Sequence, residues 1–517
     1  DVKLIAGLDL EVNKYHDLGG TKKDLISNAV PTINTATHDK PTLYSGYTHW
    51  ATMGGFARLN YAYDERYLLE VSLRTNGSSR FIGDKRWATF PSFSAGWNIA
   101  NEKFFAPLKG TVSMLKLRGS WGTLGNTEVK ALYPWFLSQP VGTANSAWLV
   151  GGEQQNTSNA PGIVSNSLTW ERIESWNLGL DFAAFNNRLQ GNLEYFNRTT
   201  RDMVGPPAPL PFTLGVGQPQ VNNATLVSKG WEAELKWRDQ IGKVSYGLRL
   251  VLSDDIQTVT QYYNPTGTLS TWYSGRRMGE FWGYTTRGIA KTNDEMNEHL
   301  KSNQPAWGSN WQAGDIMYQD LNGDGKVNGG ANTLADHGDL RKLGYDVPRY
   351  KFGFNADLTW QGIDFSFFLQ GIGRRDWFDN SPYSTGATNL GQWQSVGFKE
   401  HWDFFRPEGD PNGANLNARF PRPLFGQGSK NMETQSRYVV NAAYLRIKNI
   451  QLGYTLPATL SKKFGVSRLR VYTSADNLVT FTKLPKIFDP EATGGDWGPG
   501  KIYPLQRTIS FGLNVNI

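Results

Sequence analysis

The sequence of 517 residues contains no cysteine, and this absence excludes both a disulfide framework and thiol catalysis. It also contains no run of about 18 apolar residues, so a membrane-spanning α-helix is excluded. The low mean hydropathy of −0.48 does not exclude a membrane β-barrel, because barrel strands place every second side chain on a polar lumen face. Soluble folds and membrane β-barrels therefore both remain open.

The sequence also lacks a large excess of charge of either sign. The net charge of +7 at pH 7 is mild for this length, and the basic residues are interleaved with acidic ones. Proteins that bind nucleic acid cluster their basic residues, so no nucleic-acid partner is expected.

Sequence signatures of catalysis are also missing, because HExxH, GxSxG and Walker A patterns do not occur. Loop positions without a nucleophile context hold His16, His49, His337 and His401. The sequence therefore predicts a protein that is not an enzyme and that uses no organic cofactor.

Apolar side chains recur with a period of two through nearly the whole chain. The pattern is clearest over residues 67–97, where two strands of opposite direction are joined by a polar loop. Their apolar positions are Tyr67, Leu69, Val71, Leu73, Pro91, Phe93, Ala95 and Trp97. A period of two gives each strand one apolar and one polar face. We assign the apolar face to lipid and the polar face to a lumen.

About fourteen such strands are predicted, with short turns and long polar loops alternating between them. The long loops cover residues 15–43, 125–167, 199–225, 254–348, 373–435 and 478–503, approximately. This sorting is typical of outer-membrane barrels, whose short turns are periplasmic and whose long loops are extracellular. Loops of a soluble sandwich are not sorted in this way. The predicted fold class is all-β: a transmembrane antiparallel β-barrel that crosses the bacterial outer membrane many times and contacts its lipid.

The start of the chain carries a further expectation. Asp1 leads straight into an alternating strand, with no signal peptide and no charged leader. An ordinary N-terminal edge strand is one interpretation. We expect instead that a first portion has been truncated, cleaved or is otherwise missing from this chain.

Eight stretches, in order along nearly the whole chain, carry a family resemblance. They are YLLEVSLRTNGSSRF (67–81), RWATFPSFSAGW (86–97), LKLRGSWGTLGN (115–126), ERIESWNLGLDF (171–182), GDIMYQDLNGDGKV (314–327), YLRIKNIQLGYTLP (444–457), LRVYTSADNLVTFTKL (469–484) and FDPEA (488–492). On these stretches the chain resembles the C-terminal part of the SusC/RagA family of TonB-dependent outer-membrane transporters.

The resemblance implies a plugged barrel of about 22 strands, of which this chain would supply about 14 C-terminal strands. The plug domain and the first strands would then be absent from this chain and belong to the same polypeptide or to a separate chain. The resemblance also implies import of glycans (oligosaccharides) or peptides, driven through the TonB complex, with a SusD-like surface lipoprotein as lid. One departure is Ile517, because such barrels typically end in an aromatic residue.

Two other classes of function remain as alternatives. One is a passive outer-membrane porin whose fourteen strands close on themselves, which the start within a strand and the family resemblance argue against. The other is a soluble β-rich glycan-binding protein, which would not require detergent.

One loop resembles the start of a calcium site. The residues in ligand positions are Asp320, Asn322, Asp324 and Lys326, the last through its main-chain carbonyl. Gly325 occupies the sixth place, where the loop turns sharply, but Ala331 replaces the bidentate Glu of an EF-hand. Asp336 or Asp339 could supply a later carboxylate. A loop of Asx turns that binds no metal is the alternative.

The large insertions are rich in tryptophan, including Trp148 and Trp402. The candidates for contact with substrate or lid are Trp272, Trp282, Trp307, Trp311, Trp377 and Trp393. Flat aromatic faces suit both sugar rings and protein interfaces. The alternative for each of these residues is that it anchors its own loop.

Overall fold

The computed structural model describes residues 1–127, 129, 132–139, 141–143, 149–158, 161–379, 383, 397–424, 428–494 and 502–517. Its main element is one antiparallel sheet of 14 strands, in which strands adjacent in sequence are adjacent in the sheet. The strands are β1 (Val2–Thr21), β2 (Thr42–Tyr63), β3 (Tyr67–Ser78), β4 (Trp87–Asn98), β5 (Val112–Asn126), β6 (Glu171–Ala184), β7 (Leu189–Gly205), β8 (Val221–Ile241), β9 (Val244–Gln261), β10 (Arg349–Trp360), β11 (Ile363–Arg374), β12 (Tyr444–Thr455), β13 (Arg468–Thr482) and β14 (Thr508–Asn516). The predicted all-β fold with about fourteen strands is confirmed.

Helical structure is sparse in the described residues. The α-helices are α1 (Asn293–Leu300), α2 (Gly428–Met432) and α3 (Ala458–Ser461). The 3-10 helices are Ile33–Thr35, Gly83–Arg86, Ile99–Asn101, Lys103–Leu108, Phe212–Leu214, Lys399–Trp402, Ser436–Tyr438 and Lys462–Phe464. No helix in the described part of the chain is both long and apolar enough to cross a membrane.

The chain divides into two compact units. The first comprises Asp1–Trp97, Gly119–Trp176 and Arg198–Leu226. In it, β1 to β4 pair in succession, and β1 keeps its register with β2 from Val2 opposite Tyr61 to Thr21 opposite Thr42. A small core at the β3–β4 connection consists of Phe81, Ala88, Phe90, Val129, Leu168 and Trp170.

The β3–β4 hairpin has the predicted face assignment. Leu69 lies opposite Ala95 and Val71 opposite Phe93 on one face, and the pairing continues to Gly77. Val71, Leu73 and Phe93 of this face are exposed in the isolated chain, as a lipid-facing wall requires. The same holds for β1, where Leu8 is 90% exposed.

The second unit comprises Asn98–Arg118, Asn177–Asn197 and Val227–Ile517. Strands β9 to β14 pair in succession within it, with one register shift between Ile447 and Asn449 of β12. Some large apolar side chains of this unit are exposed as well, and Phe511 of β14 is 84% exposed.

Ion pairs link strands of this unit across its polar face, both between neighbours and across an intervening strand. Lys351 of β10 lies 3.0 Å from Asp255 of β9. Arg470 of β13 donates to both oxygens of Asp364 on β11. The polar half of the alternation is therefore used for contacts between strands.

Two details of the predicted strand layout need correction. The strands run further than expected, because the ladder hydrogen bonds continue to Thr21 in β1, to Gly205 in β7 and to Gln261 in β9. The alternation of short and long connections is also not strict. Residues 99–111, where a short turn is expected, form a longer connection than residues 79–86, and they contain the 3-10 helices Ile99–Asn101 and Lys103–Leu108.

The long connections contain short strands of their own. In 127–170 these are Val141–Thr143, Leu149–Val150, Glu153–Gln154 and Asn156–Ser158. In 262–348 they are Glu280–Tyr284, Thr286–Ile289, Gln304–Pro305, Ile316–Tyr318, Lys326–Val327 and Leu340–Tyr345, and in 375–443 they are Asp376–Trp377 and Val440–Asn441. The connections after β9 and β11 are therefore folded segments rather than plain links between strands.

Candidate functional site

The connections after β9 (262–348) and β11 (375–443) fold together into what we call the insertion unit. Its core draws on both: Ile289, Ala290, Met296, Trp311, Ile316, Met317, Tyr318 and Val327 come from the first, and Phe405, Ala418, Phe420 and Tyr438 from the second. Tyr318 and Val327 are completely buried. Because both connections contribute to one core, they pack together as a single folded segment.

Local sequence explains how the first connection folds. Thr292 caps α1, since its hydroxyl accepts a hydrogen bond from the Glu295 N–H at 3.1 Å. Met296 then projects from α1 into the core. The strand Ile316–Tyr318 pairs with Thr286–Ile289, so the apolar stretch IMY is fully covered.

A buried carboxylate holds the two connections together by charge. Asp315 is 0% exposed, and Arg422 donates to its two oxygens at 2.9 and 3.1 Å. Lys430, 1% exposed, places its Nζ 2.8 Å from the same carboxylate. Asn431 donates to Asp315 at 3.0 Å and accepts from the Ile316 N–H at 2.9 Å. Each oxygen of this buried charge is thereby paired, which is the condition for burying it at all.

Burial sets the ionisation of groups around this cluster. It lowers the pKa of the Lys430 ammonium, an effect that the neighbouring Asp315 carboxylate opposes. Burial also raises the pKa of Tyr284 to about 12, with help from the negative charges of Glu433 and Asp339. The tyrosine hydroxyls here therefore stay protonated at physiological pH.

Two of the predicted contact tryptophans lie inside packed cores. Trp311 is 8% exposed, and the Lys430 ammonium lies 4.9 Å from its ring centroid. Trp377 is 5% exposed and packs edge-on against Phe488 at 4.8 Å between centroids. Their burial favours the anchoring alternative for both residues.

The other described candidates are half-buried. Trp307 lies against Tyr284 with 4.7 Å between ring centroids. Trp272 lies beneath the Arg276 guanidinium at 5.0 Å, and Trp282 donates its indole N–H to Glu280 at 3.0 Å. Substrate or lid contact by these residues stays a prediction. Trp393 lies outside the described residues.

One exposed aromatic side chain was not among the six candidates. Trp402 is 60% exposed, and the Arg406 guanidinium lies 5.4 Å from its ring centroid. The surrounding segment KEHWD is mostly charged, and an aromatic residue in a charged segment has few apolar neighbours to cover it. That composition was the signal in the sequence.

The buried carboxylate of Glu280 holds the Trp282 ring in place. Glu280 accepts hydrogen bonds from the Tyr273 hydroxyl and the Trp282 indole, and Lys342 lies 3.3 Å from its second oxygen. Burial raises the pKa of Tyr273 to about 12, and the hydrogen bond to Glu280 adds to the rise. These contacts fix the rings rather than present them for chemistry.

The predicted calcium loop has the backbone of an Asx-turn loop. Asp320 accepts from the N–H groups of Asn322, Gly323 and Gly325 at 3.0, 2.7 and 2.7 Å. Burial opposes ionisation of Asp320, but these donors outweigh it and lower its pKa. The completely buried Asp339 accepts from the Leu321 N–H at 2.7 Å, so it serves the loop backbone.

The metal assignment of this loop stays a prediction. Within the described ranges, no group of three or more His, Cys, Asp or Glu side chains is placed to hold a metal ion. Asp336 accepts from the Ala331 N–H at 3.0 Å. Calorimetric titration of calcium into the Asp320→Ala and Asp324→Ala variants decides between a calcium loop and a metal-free Asx loop.

The last long connection, 483–507, is tied to the sheet by a second buried ion cluster. Arg446 of β12 is 3% exposed and donates to Asp489 at 2.6 Å and to Glu491 at 2.5 Å. Lys448 lies 3.0 Å from Glu491, and the Leu505 N–H donates to Asp489 at 3.0 Å. The FDPEA stretch of the family resemblance therefore acts as an anchor for this connection.

Glu433 offers a test of electrostatics in the insertion unit. Burial raises its pKa, and no charged neighbour offsets that effect. A carboxyl whose folded-state pKa exceeds the unfolded value of about 4.3 destabilises the fold at high pH, and this cost disappears as pH falls below about 4. The Glu433→Gln variant is therefore expected to unfold at a higher temperature than wild type at pH 7.5 and at the same temperature at pH 4. Thermal unfolding at both pH values checks this.

The matched control for that experiment is Glu298→Gln. Glu298 is exposed and pairs with the neighbouring Lys301 on the same helical turn. Its variant should follow the wild-type curve at both pH values. A Glu433→Gln variant that behaves like this control contradicts the burial argument.

Comparison with known proteins places this architecture in a family. The family model described as TonB dependent receptor-like, beta-barrel matches residues 3–478. The chain belongs to this family. The predicted resemblance to SusC/RagA TonB-dependent transporters is confirmed, and the protein is one of the bacterial outer membrane. The family is one of receptors and transporters rather than enzymes.

Individual proteins similar to this chain are also named TonB-dependent receptors. TonB-dependent receptor P26 of Formosa agariphila is 30% identical over 514 residues, which covers 95% of this chain and 48% of the relative. TonB-dependent receptor SusC of Bacteroides thetaiotaomicron is 27% identical over 470 residues, covering 89% of this chain and 43% of the relative. The chain thus spans about half the length of the curated relatives it matches.

A solved structure shares the fold. The RagAB peptide importer in the 'open-open' state superimposes with a TM-score of 0.76 at 23% identity, and the match covers 100% of this chain and 53% of that chain. At this level of identity the likeness supports the fold alone.

Proposed function

We propose that this chain is the C-terminal part of the β-barrel of a SusC-like TonB-dependent importer, which takes up glycans or peptides across the outer membrane. The observation that carries the proposal is the relation to TonB-dependent receptors along residues 3–478, together with a 14-stranded sheet. The order of the family stretches along the chain adds to it. Fourteen strands then belong to a barrel of about 22, completed by a plug and first strands on the same polypeptide or on a separate chain.

The insertion unit is our candidate for the part that meets substrate and partner. It combines exposed or half-exposed aromatic rings with adjacent guanidinium groups, at Trp402 with Arg406 and at Trp272 with Arg276. Such pairs suit sugar rings, peptide side chains and protein interfaces alike. We propose a SusD-like surface lipoprotein as the partner that closes over it. We propose no enzymatic role and no organic cofactor, and calcium binding by the loop at Asp320 stays a prediction.

Energy coupling separates this proposal from its main alternative. We expect cells that make the full-length protein to accumulate a labelled oligosaccharide or peptide, and cells without TonB to accumulate none. The physical reason is that a plugged barrel admits substrate only when work is done on the plug. Uptake over time, measured with a panel of oligosaccharides and peptides in both strains, checks the prediction.

The controls distinguish the remaining classes. Uptake that continues undiminished without TonB would favour the passive porin. A protein that stays in solution after detergent is removed would favour the soluble glycan-binding alternative. Mild-detergent purification of the tagged protein, followed by mass spectrometry of what co-purifies, tests the lipoprotein partner separately.

A further inference from the structure

The connection between β12 and β13 (456–467) is a small folded element. It contains α3 and the 3-10 turn Lys462–Phe464, and Gly465 ends the turn in the left-handed region at φ +74°. Ser461 is completely buried, and the Ser467 N–H donates to the Asn516 carbonyl of β14 at 2.8 Å. The element is therefore held to the sheet and presents a defined outer surface.

That outer surface is both apolar and basic. Phe464 is 72% exposed, and Leu460, four residues earlier, is also exposed. Lys462 and Lys463 lie exposed beside them. Segment 456–467 contains no Asp or Glu, and neither ammonium has an ion-pair partner among the described residues. Side chains that combine exposed rings with unpaired positive charge are typical of elements lying at a membrane interface.

An apolar groove begins where this element joins the sheet. Its volume is about 460 Å³, and its lining includes Ile363, Leu452, Tyr454, Val471, Thr473 and Phe511. These side chains belong to adjacent rungs of β11 to β14, with Tyr454 opposite Val471 and Leu452 opposite Thr473.

Thr473 has a smaller side chain than Leu452 and Phe511 in the lining, so the recess of the groove lies over it. Its hydroxyl donates to the Ser510 carbonyl at 3.1 Å, so the polar atom of this side chain is paired with the backbone. Tyr454 stands one residue before the end of β12, which puts the mouth of the groove next to the basic element.

We propose that the groove and Lys462 with Lys463 form one binding site for an anionic glycerophospholipid of the surrounding membrane. The acyl chains would fill the groove on the lipid-facing side, and the phosphate would contact the two ammonium groups. Short connections of outer-membrane barrels lie on the periplasmic side, where the leaflet is made of phospholipid. Charge complementarity selects the anionic class, because a zwitterionic headgroup brings its own cation to the two lysines. This proposal holds whether or not the transport function does.

The test is native mass spectrometry of the purified full-length protein in detergent, titrated with dioleoyl phosphatidylglycerol or dioleoyl phosphatidylcholine. Each lysine near a membrane surface contributes about 1 kcal/mol toward anionic lipid, so the pair should favour phosphatidylglycerol about 30-fold. The Lys462→Gln/Lys463→Gln variant should lose this preference. The Thr473→Phe variant, which fills the groove, should retain less of either lipid while its charge is unchanged.

The matched control is Lys22→Gln/Lys23→Gln, an adjacent lysine pair in the long connection 22–41. It changes the net charge equally and should leave both affinities unaltered. Equal affinity of the wild type for the two lipids overturns the proposal. So does the same loss of preference in the control, and so does unchanged lipid retention in the Thr473→Phe variant.

Discussion

The Asp315→Asn variant is expected to lose the folded insertion unit while the 14-stranded sheet remains intact. The substitution keeps the shape of the side chain but removes its charge, which leaves the buried Lys430 and its neighbour Arg422 without a counterion. Removing one partner of a buried ion pair typically costs about 3–5 kcal/mol. Hydrogen–deuterium exchange should therefore rise sharply in Ile316–Tyr318 and leave β9 to β14 protected.

The control for this variant is Asp294→Asn. Asp294 is exposed in the first turn of α1, where loss of its charge costs only the weak interaction with the helix end. Exchange in Ile316–Tyr318 should stay near wild type. If exchange in Ile316–Tyr318 is as slow in the Asp315→Asn variant as in the Asp294→Asn control, the charge cluster does not hold the two connections together.

The Arg446→Gln variant is expected to release the connection 483–507 from the sheet. Asp489 and Glu491 would be left partly buried without the guanidinium that both accept from. Lys448 and the Gln370 amide would remain as side-chain partners of Glu491. A loss of about 3 kcal/mol corresponds to more than a hundredfold larger open population. Tryptic cleavage after the exposed Lys486 follows that population and should accelerate accordingly.

Arg374→Gln supplies the comparison, because Arg374 is exposed and its ion pair with Asp376 adds little stability. Cleavage at Lys486 should then proceed at the wild-type rate. Equal rates in the Arg446 and Arg374 variants would mean that the anchor lies elsewhere in the connection.

The same anchor has a pH dependence whose sign follows from Asp489. Burial opposes its ionisation, but the Glu491 N–H, Arg446 and the Leu505 N–H together lower its pKa. A carboxyl with a lowered folded-state pKa stabilises the fold above its unfolded value of about 3.9 and loses that effect as pH falls through the folded value. The connection should therefore open in wild type as the pH falls through 4 to 2, and pepsin should cleave it faster there. The difference in cleavage rate between wild type and Arg446→Gln should shrink over the same range.

Strand identity and face assignment were within reach of the sequence alone. The alternation at Leu69, Val71 and Phe93 depends only on the two-residue repeat of a strand, which holds whatever lies beyond the sheet. The ends of the strands were harder to predict from the sequence. Residues 15–21 look polar enough for a loop, yet they continue β1 because β2 offers partners as far as Thr42.

The contents of the long connections were decided by tertiary structure. A sequence pattern marks Trp311 and Trp377 as aromatic residues in loops, but burial depends on partners such as Phe488 that are far away along the chain. Asp315 likewise meets Arg422 only because two connections fold together.

The sequence by itself determined that this chain is built of strands with one apolar and one polar face, because the two-residue repeat is a local pattern. It also determined the family, through stretches spread over the whole length. Only the tertiary structure decided which loop side chains are buried, which charges are paired, and that Phe464 is left exposed. The physical reason is that packing joins residues that no local pattern connects.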